Sequence, residues 1–150
     1  MADADIIVVG GGPAGHAAAL RARELEATVI VVEEQQAGGN CVHHACIPTS
    51  IMLDTLDGAL RARELGIAGV LEAGDAFHWN RAVARKQQLV AAMAAGIRLQ
   101  FRTRGVEFLA GRARFTGPRS VRVALTEGGE RTLTADAAVI LATGVGRACP

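Results

Sequence analysis

The chain lacks any apolar run long enough to cross a membrane, and it carries almost no net charge over its 150 residues. A membrane span needs about 20 predominantly apolar residues. The 16 basic and 15 acidic residues leave a net charge of +1. This balance gives no electrostatic reason to expect nucleic acid or an anionic membrane surface as a partner. We therefore expect a globular domain built on one hydrophobic core.

Cysteine is also scarce, with three residues in the whole chain. The first residues carry Asp3 and Asp5 and no basic cluster, which is not typical of a secretory signal. A structural disulfide framework is therefore not expected, and catalytic thiols, metal ligands or inert buried thiols remain as interpretations. This cysteine usage favours a cytoplasmic protein.

The first 32 residues predict a βαβ unit. Ile6 to Val9 is a short apolar run that ends in three glycines, and Thr28 to Val32 is a second, β-branched run. Pro13 to Leu25 has no internal breaker and predicts a helix with proline in its first turn. The two strands should be parallel and joined by a right-handed crossover.

The rest of the chain predicts two long helices and then short strands. A glycine-containing loop, Ala37 to Asn40, leads into the cysteine segment and a helical stretch that ends near Leu65. A second helix is predicted from Asn80, as N-cap, to about Phe101. One face of this helix carries Val83, Val90, Met93, Ile97 and Phe101. The predicted strands, separated by glycine turns, are Val106 to Ala110, Arg112 to Phe115, Val121 to Leu125, and Ala137 to Ala142.

A glycine fingerprint, Gly10-x-Gly12-x-x-Gly15, joins the first strand to the first helix. Gly10 permits the tight turn, Gly12 leaves room for a pyrophosphate, and Gly15 lets the helix approach the strand. The phosphates would meet unpaired amide N–H groups at the positive end of the helix dipole. The alternative is a glycine turn that binds nothing.

Glu33 ends the second strand, 18 residues after Gly15. In this context an acid can accept hydrogen bonds from ribose hydroxyls. It would also repel a 2′-phosphate. We therefore expect a ligand with a plain adenosine ribose, as in FAD or NAD.

Cys41 and Cys46 lie a few residues past this acid and five positions apart. In a regular helix that spacing separates the Cα atoms by about 8 to 9 Å, whereas a disulfide tolerates about 7 Å at most. Either the pair never bonds, or the backbone leaves the regular helix between the two. Pro48 favours the second option, because proline suits the first turn of a helix. A helix that begins near Cys46 would place this thiol at a helix N-terminus, which stabilises a thiolate.

His43 and His44 lie between the two cysteines, so metal binding is an alternative. Adjacent histidines rarely share a metal, and the spacing matches no usual zinc pattern. We expect no metal site, and inert core thiols are a further alternative.

Taken together and in this order, the motifs resemble those of the class I pyridine nucleotide–disulfide oxidoreductases, the family of the dihydrolipoamide dehydrogenases, glutathione reductases and mercuric reductases. The segments that carry the resemblance are DIIVVGGGPAGHAAA, VVEEQQAGGNC, CIPT, RKQQLV, LAGRARFTGP and VILATG. The resemblance implies an α/β, Rossmann-like FAD-binding domain with a parallel sheet and a small antiparallel β-meander near the C-terminus. It also implies electron transfer from NAD(P)H to FAD, to the cysteine pair, and then to a small-molecule or protein-bound disulfide.

The resemblance also implies roles for single residues. Cys41 would be the interchange thiol that attacks the substrate, and Cys46 the thiol that exchanges electrons with the flavin. The expected FAD-binding residues are Gly10, Gly12, Pro13, Ala14, Gly15, Glu33, Glu34, Gly39, Asn40, Cys41, Ser50, Gly111, Ala113, Ala142, Thr143 and Gly144.

Four positions depart from the family pattern. Asn40 stands where the family has threonine, His43 where it has asparagine, and Ala45 where it has glycine. Ser50 replaces a lysine that supplies positive charge near the flavin, so we expect weaker control of the flavin potential. His43 or His44 could partly substitute as a donor, or could be a tolerated polar residue.

The resemblance also sets the expected domain organisation. Family members continue with a nicotinamide-binding domain, a return to the FAD domain and a dimerisation domain, and they form homodimers. Residues 1–150 would then be the N-terminal portion of the FAD-binding domain, without the NAD(P)H site. The chain would be either the opening part of a flavoenzyme or a free-standing FAD-binding or thiol redox module that acts with another polypeptide. An ordinary NAD-binding domain is a third hypothesis, but it has no use for the cysteine pair.

Overall fold

The computed structural model describes residues 2–70 and 77–145, so the third cysteine, Cys149, lies outside the described residues. None of the helices in these two ranges combines the length and apolarity of a membrane span. The elements in chain order are β1 (Ala4–Val9), α1 (Pro13–Glu24), β2 (Val29–Glu33), α2 (Gly39–His43), α3 (Cys46–Ile67), α4 (Trp79–Thr103), β3 (Val106–Gly117), β4 (Ser120–Leu125) and β5 (Glu130–Leu141).

A parallel sheet forms the centre of the fold, with the strand order β3-β2-β1-β5. The pairing of β1 with β2 is parallel, as the βαβ pattern predicts, and it sets Ile7 beside Ile30. These strands are nearly continuous apolar runs, which is typical of parallel strands whose two faces are both covered.

The two faces of the sheet pack against different layers because successive side chains of a strand point in opposite directions. On one face, Ile7, Val9, Ile30 and Val32 pack against Val121, Val123 and Leu133 of β4 and β5. On the other face, Val8, Val29 and Val31 pack against Ala19 and Ala22 of α1 and Phe101 of α4. Burial of each large aliphatic side chain stabilises the fold by about 1.5–3 kcal/mol. The helices and the β-meander therefore lie on opposite sides of one sheet.

The meander differs from the predicted set of short strands. Val106 to Ala110 and Arg112 to Phe115, predicted as separate strands, form the single strand β3, and the strand predicted from Ala137 already begins at Glu130. Gly111 is the point at which β3 stops pairing with β2 and starts to pair with β4. β5 likewise pairs first with β4 and then with β1, so the pairings close into a circuit.

The fourth helix also begins differently from the prediction. α4 starts at Trp79 with His78 as its N-cap, so Asn80 lies inside the first turn and is not the cap. Of its predicted apolar face, Phe101 is fully buried, whereas Met93 is 43% exposed. This part of α4 therefore does not belong to the core below the sheet.

Candidate dinucleotide and dithiol site

The glycine fingerprint forms a tight turn at the carboxyl end of β1. Gly10 has a φ of +108°, and a Cβ at this position would overlap the carbonyl group of Ala142, which follows β5. A Cβ at Gly15 would overlap the carbonyl oxygen of Gly10, so glycine at 15 lets α1 lie against the turn. The Gly10 N–H donates to the Val32 carbonyl at 2.8 Å. The turn thus joins the ends of β1, β2 and β5 to the start of α1.

The N-terminus of α1 opens beside the loop that precedes the cysteines. Gly12 is the N-cap, no side chain caps the helix, and its first turn holds no acid. The first N–H groups of a helix have no partner within it. A Cβ at Gly12 would meet only the Cα of Gly39, at 3.8 Å, so the space above it is open. Bare glycine backbone at a helix N-terminus is suited to bind a phosphate group.

The Glu33 carboxylate lies against the same turn. Its Oε2 accepts a hydrogen bond from the Gly11 N–H at 2.6 Å, and its Oε1 accepts one from the Gln35 N–H at 2.8 Å. Each carboxylate oxygen has a second lone pair, so Glu33 can still accept from ribose hydroxyls. The next residue, Glu34, forms an ion pair with Arg112 at 3.6 Å between largely exposed side chains.

The other expected FAD-binding residues occupy five places. Pro13 and Ala14 are exposed at the start of α1, and Asn40 is exposed in α2. Ala142, Thr143 and Gly144 follow β5, where the Ala142 N–H donates to the Val9 carbonyl at 2.8 Å. Gly111 and Ala113 lie on the antiparallel part of β3, and Ser50 is exposed in α3. The fold thus brings Gly10, Gly12, Gly15, Glu33, Gly39 and Ala142 to one edge of the sheet. The contacts of all the expected residues with a ligand stay a prediction.

The backbone leaves the helix between the two cysteines, which is the option that Pro48 favours. α2 ends at His43 and α3 begins at Cys46, with Ala45 between them at φ −126° and ψ −94°. Cys46 therefore occupies the first position of a helix, as predicted. Both cysteines are free thiols, Cys41 half-buried and Cys46 exposed.

The two thiols interact directly. A hydrogen bond with the Cys46 side chain raises the pKa of Cys41 above its ordinary value, and burial acts in the same direction. The backbone N–H of Cys46 acts oppositely on this pKa, because it stabilises the Cys41 thiolate. Cys41 thus keeps its proton to a higher pH than an ordinary cysteine does.

His43 fixes the loop in front of the pair. Its Nε2 donates a hydrogen bond to the Ala37 carbonyl at 3.0 Å, and the neighbouring Gly38 N–H donates to the Gly11 carbonyl at 2.8 Å. These bonds connect α2 to the glycine turn. In the described ranges, no three or more His, Cys, Asp or Glu side chains are grouped so as to hold a metal ion.

A cavity of about 430 Å³ opens beside Cys41. Its walls come from α1, α2, α3 and α4, and they include His16, Cys41, Val42, Ile47, Met93 and Gln100. His16 donates from Nε2 to the Gln100 Oε1 at 2.8 Å, and its ring meets the ring of Phe101 edge-on at 5.3 Å. The sequence does not single out His16 or Gln100, because nothing in the local pattern indicates that either one lies near Cys41.

The fold and the site define a dinucleotide-binding domain with an adjacent dithiol. Residues 4–150 match the family described as pyridine nucleotide-disulphide oxidoreductase, and the chain belongs to this family, as its motifs predicted.

Three similar proteins are named dihydrolipoyl dehydrogenase. The relative from Zymomonas mobilis is 34% identical over 140 residues, which cover 93% of this chain and 30% of the relative. The relative from Bacillus subtilis is 32% identical over 147 residues, which cover 93% of this chain and 31% of the relative. The relative from Acholeplasma laidlawii is 32% identical over 149 residues, which cover 97% of this chain and 42% of the relative. The chain therefore spans less than half the length of each of these relatives.

Proposed function

We propose that this chain is the FAD-binding and dithiol-bearing portion of an NAD(P)H-dependent disulfide oxidoreductase. The observation that carries the proposal is the placement of two free thiols, five positions apart, directly after the loop that bonds to the glycine turn. Cys41 and Cys46 flank the break between α2 and α3, and the loop before them bonds to Gly11. A dinucleotide on the glycine turn would therefore extend towards a redox-active sulfur pair.

The residues present fit FAD. The α1 N-terminus, with open space above Gly12, would hold the pyrophosphate, and Glu33 would accept from the ribose of adenosine. The segment that begins with Ala142 and Thr143 lies against Gly10 and would border the same ligand. When bound, FAD supplies the two-electron chemistry that links a nicotinamide to the cysteine pair.

The chain's own thiols carry out the exchange with the substrate. Cys41 forms a bond with one sulfur of the substrate disulfide, and the other sulfur leaves as a thiol. Cys46 then attacks the Cys41 sulfur, releases the second thiol and closes the Cys41–Cys46 disulfide. Two electrons thus pass from the pair to the substrate, and the exposed position of Cys46 at the start of α3 leaves it free to make this bond.

The names of the similar proteins favour a lipoyl group, free or protein-bound, as the disulfide partner. A homodimer, with the NAD(P)H site in further domains, is proposed for the longer protein. A cytoplasmic location stays a prediction from the cysteine usage. The second candidate is a free-standing FAD-binding or thiol module that acts with another polypeptide, and the complete glycine turn and dithiol within one chain favour it.

Titration of the purified chain with FAD tests the cofactor site. Saturable quenching of flavin fluorescence with a perturbed flavin absorbance is expected. If a folded chain leaves the flavin spectrum unchanged at all concentrations, the site as described here does not hold FAD.

Replacement of Cys46 tests the assignment of the thiols. In the reduced protein with FAD, a long-wavelength band from thiolate to flavin is expected for the unsubstituted chain and for Cys41→Ser. Cys46→Ser should abolish this band. Persistence of the band in Cys46→Ser would show that Cys46 is not the thiol next to the flavin.

A further inference from the structure

The His43 side chain ties the short helix that carries Cys41 to the loop in front of it. Its Nε2 lies 3.0 Å from the Ala37 carbonyl oxygen, six positions back along the chain, and the ring is half-buried. A carbonyl oxygen can only accept, so Nε2 carries the proton in this bond. Ala37 is itself buried. The bond therefore supplies a donor to a carbonyl in a buried residue, and it closes the segment that contains Cys41 into a ring.

The backbone path between the two ends of this ring is a weak connection by itself. It runs through Gly38 and Gly39, which have φ values of +99° and +55°. Glycine has more conformational freedom than any other residue, so two in succession do not fix the direction of the chain after them. α2 has five residues, and a helix this short is not stable on its own. Its orientation therefore depends on side chains, namely the buried Val42 and the hydrogen-bonded His43.

The other end of the ring lies directly on the glycine turn. The Gly38 N–H donates to the Gly11 carbonyl at 2.8 Å. A Cβ added to Gly39 would lie 2.8 Å from the Cα of Gly12, so the two backbones are in close contact. Gly12 is the N-cap of α1, where the phosphates of a dinucleotide would bind. A ligand at this helix end therefore restrains residues 37–39 as well.

We propose that His43 is a positioning residue that transmits occupancy of the glycine turn to the Cys41 thiol. A bound dinucleotide favours the conformation in which residues 37–39 lie on the turn, and the bond from His43 to Ala37 extends this restraint to α2. Without the ligand, α2 opens locally more often and Cys41 reacts more readily with any small electrophile. The interchange thiol is thus best ordered when the cofactor that supplies its electrons is present. This role rests on the proposed function of the glycine turn as the dinucleotide site.

The test uses ADP as the probe, because it carries the adenosine and the pyrophosphate but has no flavin ring to contact the thiols. Cys46→Ser and Cys149→Ser provide a background in which Cys41 is the sole thiol. The rate of alkylation of Cys41 by iodoacetamide is measured by mass spectrometry with and without saturating ADP, and calorimetry gives the affinity for ADP. We expect ADP to slow the alkylation about fivefold, which corresponds to the net contribution of one hydrogen bond.

Three variants in this background isolate the hydrogen bond. His43→Leu removes the donor, and ADP should then leave the alkylation rate almost unchanged. His43→Gln retains an N–H donor at the end of a side chain of similar length, and it should retain the response to ADP. His44→Leu is the matched control, because this neighbouring histidine is exposed and follows α2 as its C-cap. It should respond to ADP as the background does.

The outcomes separate this inference from the function on which it rests. If ADP slows alkylation by the same factor in His43→Leu as in the background, the ligand shields Cys41 without His43, and the positioning role is wrong although the dinucleotide site stands. Loss of the response in His43→Gln would equally overturn the role of the hydrogen bond. If calorimetry detects no binding of ADP to the background chain, the proposed dinucleotide site is itself contradicted, and the role of His43 with it.

Discussion

Replacement of Gly39 by alanine should separate the cysteine segment from the glycine turn. Gly39 has a φ of +55°, and its added Cβ would lie 2.8 Å from the Cα of Gly12. Because the neighbour is backbone, no side-chain rotation can relieve the contact. The left-handed conformation costs alanine about 1–2 kcal/mol, and crowding of a packed site adds about 1–3 kcal/mol. We expect a loss of about 3 kcal/mol in the free energy of unfolding and a weaker affinity for FAD.

Alanine variants at two other glycines serve as controls, because they separate the conformational cost from the cost of the steric contact. Gly69 has a φ of +74° with nothing near its added Cβ, so Gly69→Ala should show the conformational cost alone. Gly58 lies inside α3 with open space around it, and Gly58→Ala should stabilise the helix by about 0.5–1 kcal/mol. Neither change should alter FAD binding.

Thermal unfolding followed by circular dichroism measures these differences. At this chain length, 1 kcal/mol corresponds to a shift of about 2–4 °C in Tm, so Gly39→Ala should unfold about 6–12 °C lower than the unsubstituted chain. Flavin-fluorescence quenching reports the affinity in the same preparations. If Gly39→Ala matches Gly69→Ala in both Tm and affinity, the contact between Gly12 and Gly39 does not hold the site together.

Phe101→Ala should lower the free energy of unfolding by about 3–5 kcal/mol, because the ring is fully buried below the sheet; an unchanged urea midpoint would contradict this packing. Cys46→Ala removes the hydrogen bond that raises the pKa of Cys41, so the alkylation rate of Cys41 by iodoacetamide should reach half its maximum at a lower pH than in the unsubstituted chain. Hydrogen bonds from the Thr28 hydroxyl and N–H lower the pKa of Asp5 in the folded chain. This carboxylate therefore adds stability above its unfolded pKa of about 3.9, and the contribution is lost as the pH falls through the lowered value. Asp5→Asn should flatten the dependence of the urea midpoint on pH in that acidic range, and an unaltered dependence would show that Asp5 does not contribute.

Local patterns in the sequence determined much of the fold and part of the site. The apolar runs around Ile7 and Ile30 and the glycines between them predict the parallel pair and its turn, because strand, turn and helix preferences act over a few residues. The five-residue spacing of Cys41 and Cys46, together with Pro48, predicts a helix that begins at the second thiol, as observed. The family also follows from these motifs.

Tertiary structure alone decided how the later strands and the cavity are built. Gly111 looks like a break in the sequence, yet β3 continues through it, because the strand exchanges β2 for β4 as its partner. Glu33 binds the N–H groups of Gly11 and Gln35, which no pattern indicates. His16 and Gln100 are 84 positions apart and meet beside Cys41. Such contacts depend on how helices pack across a sheet. The sequence near each residue therefore does not indicate its distant partner.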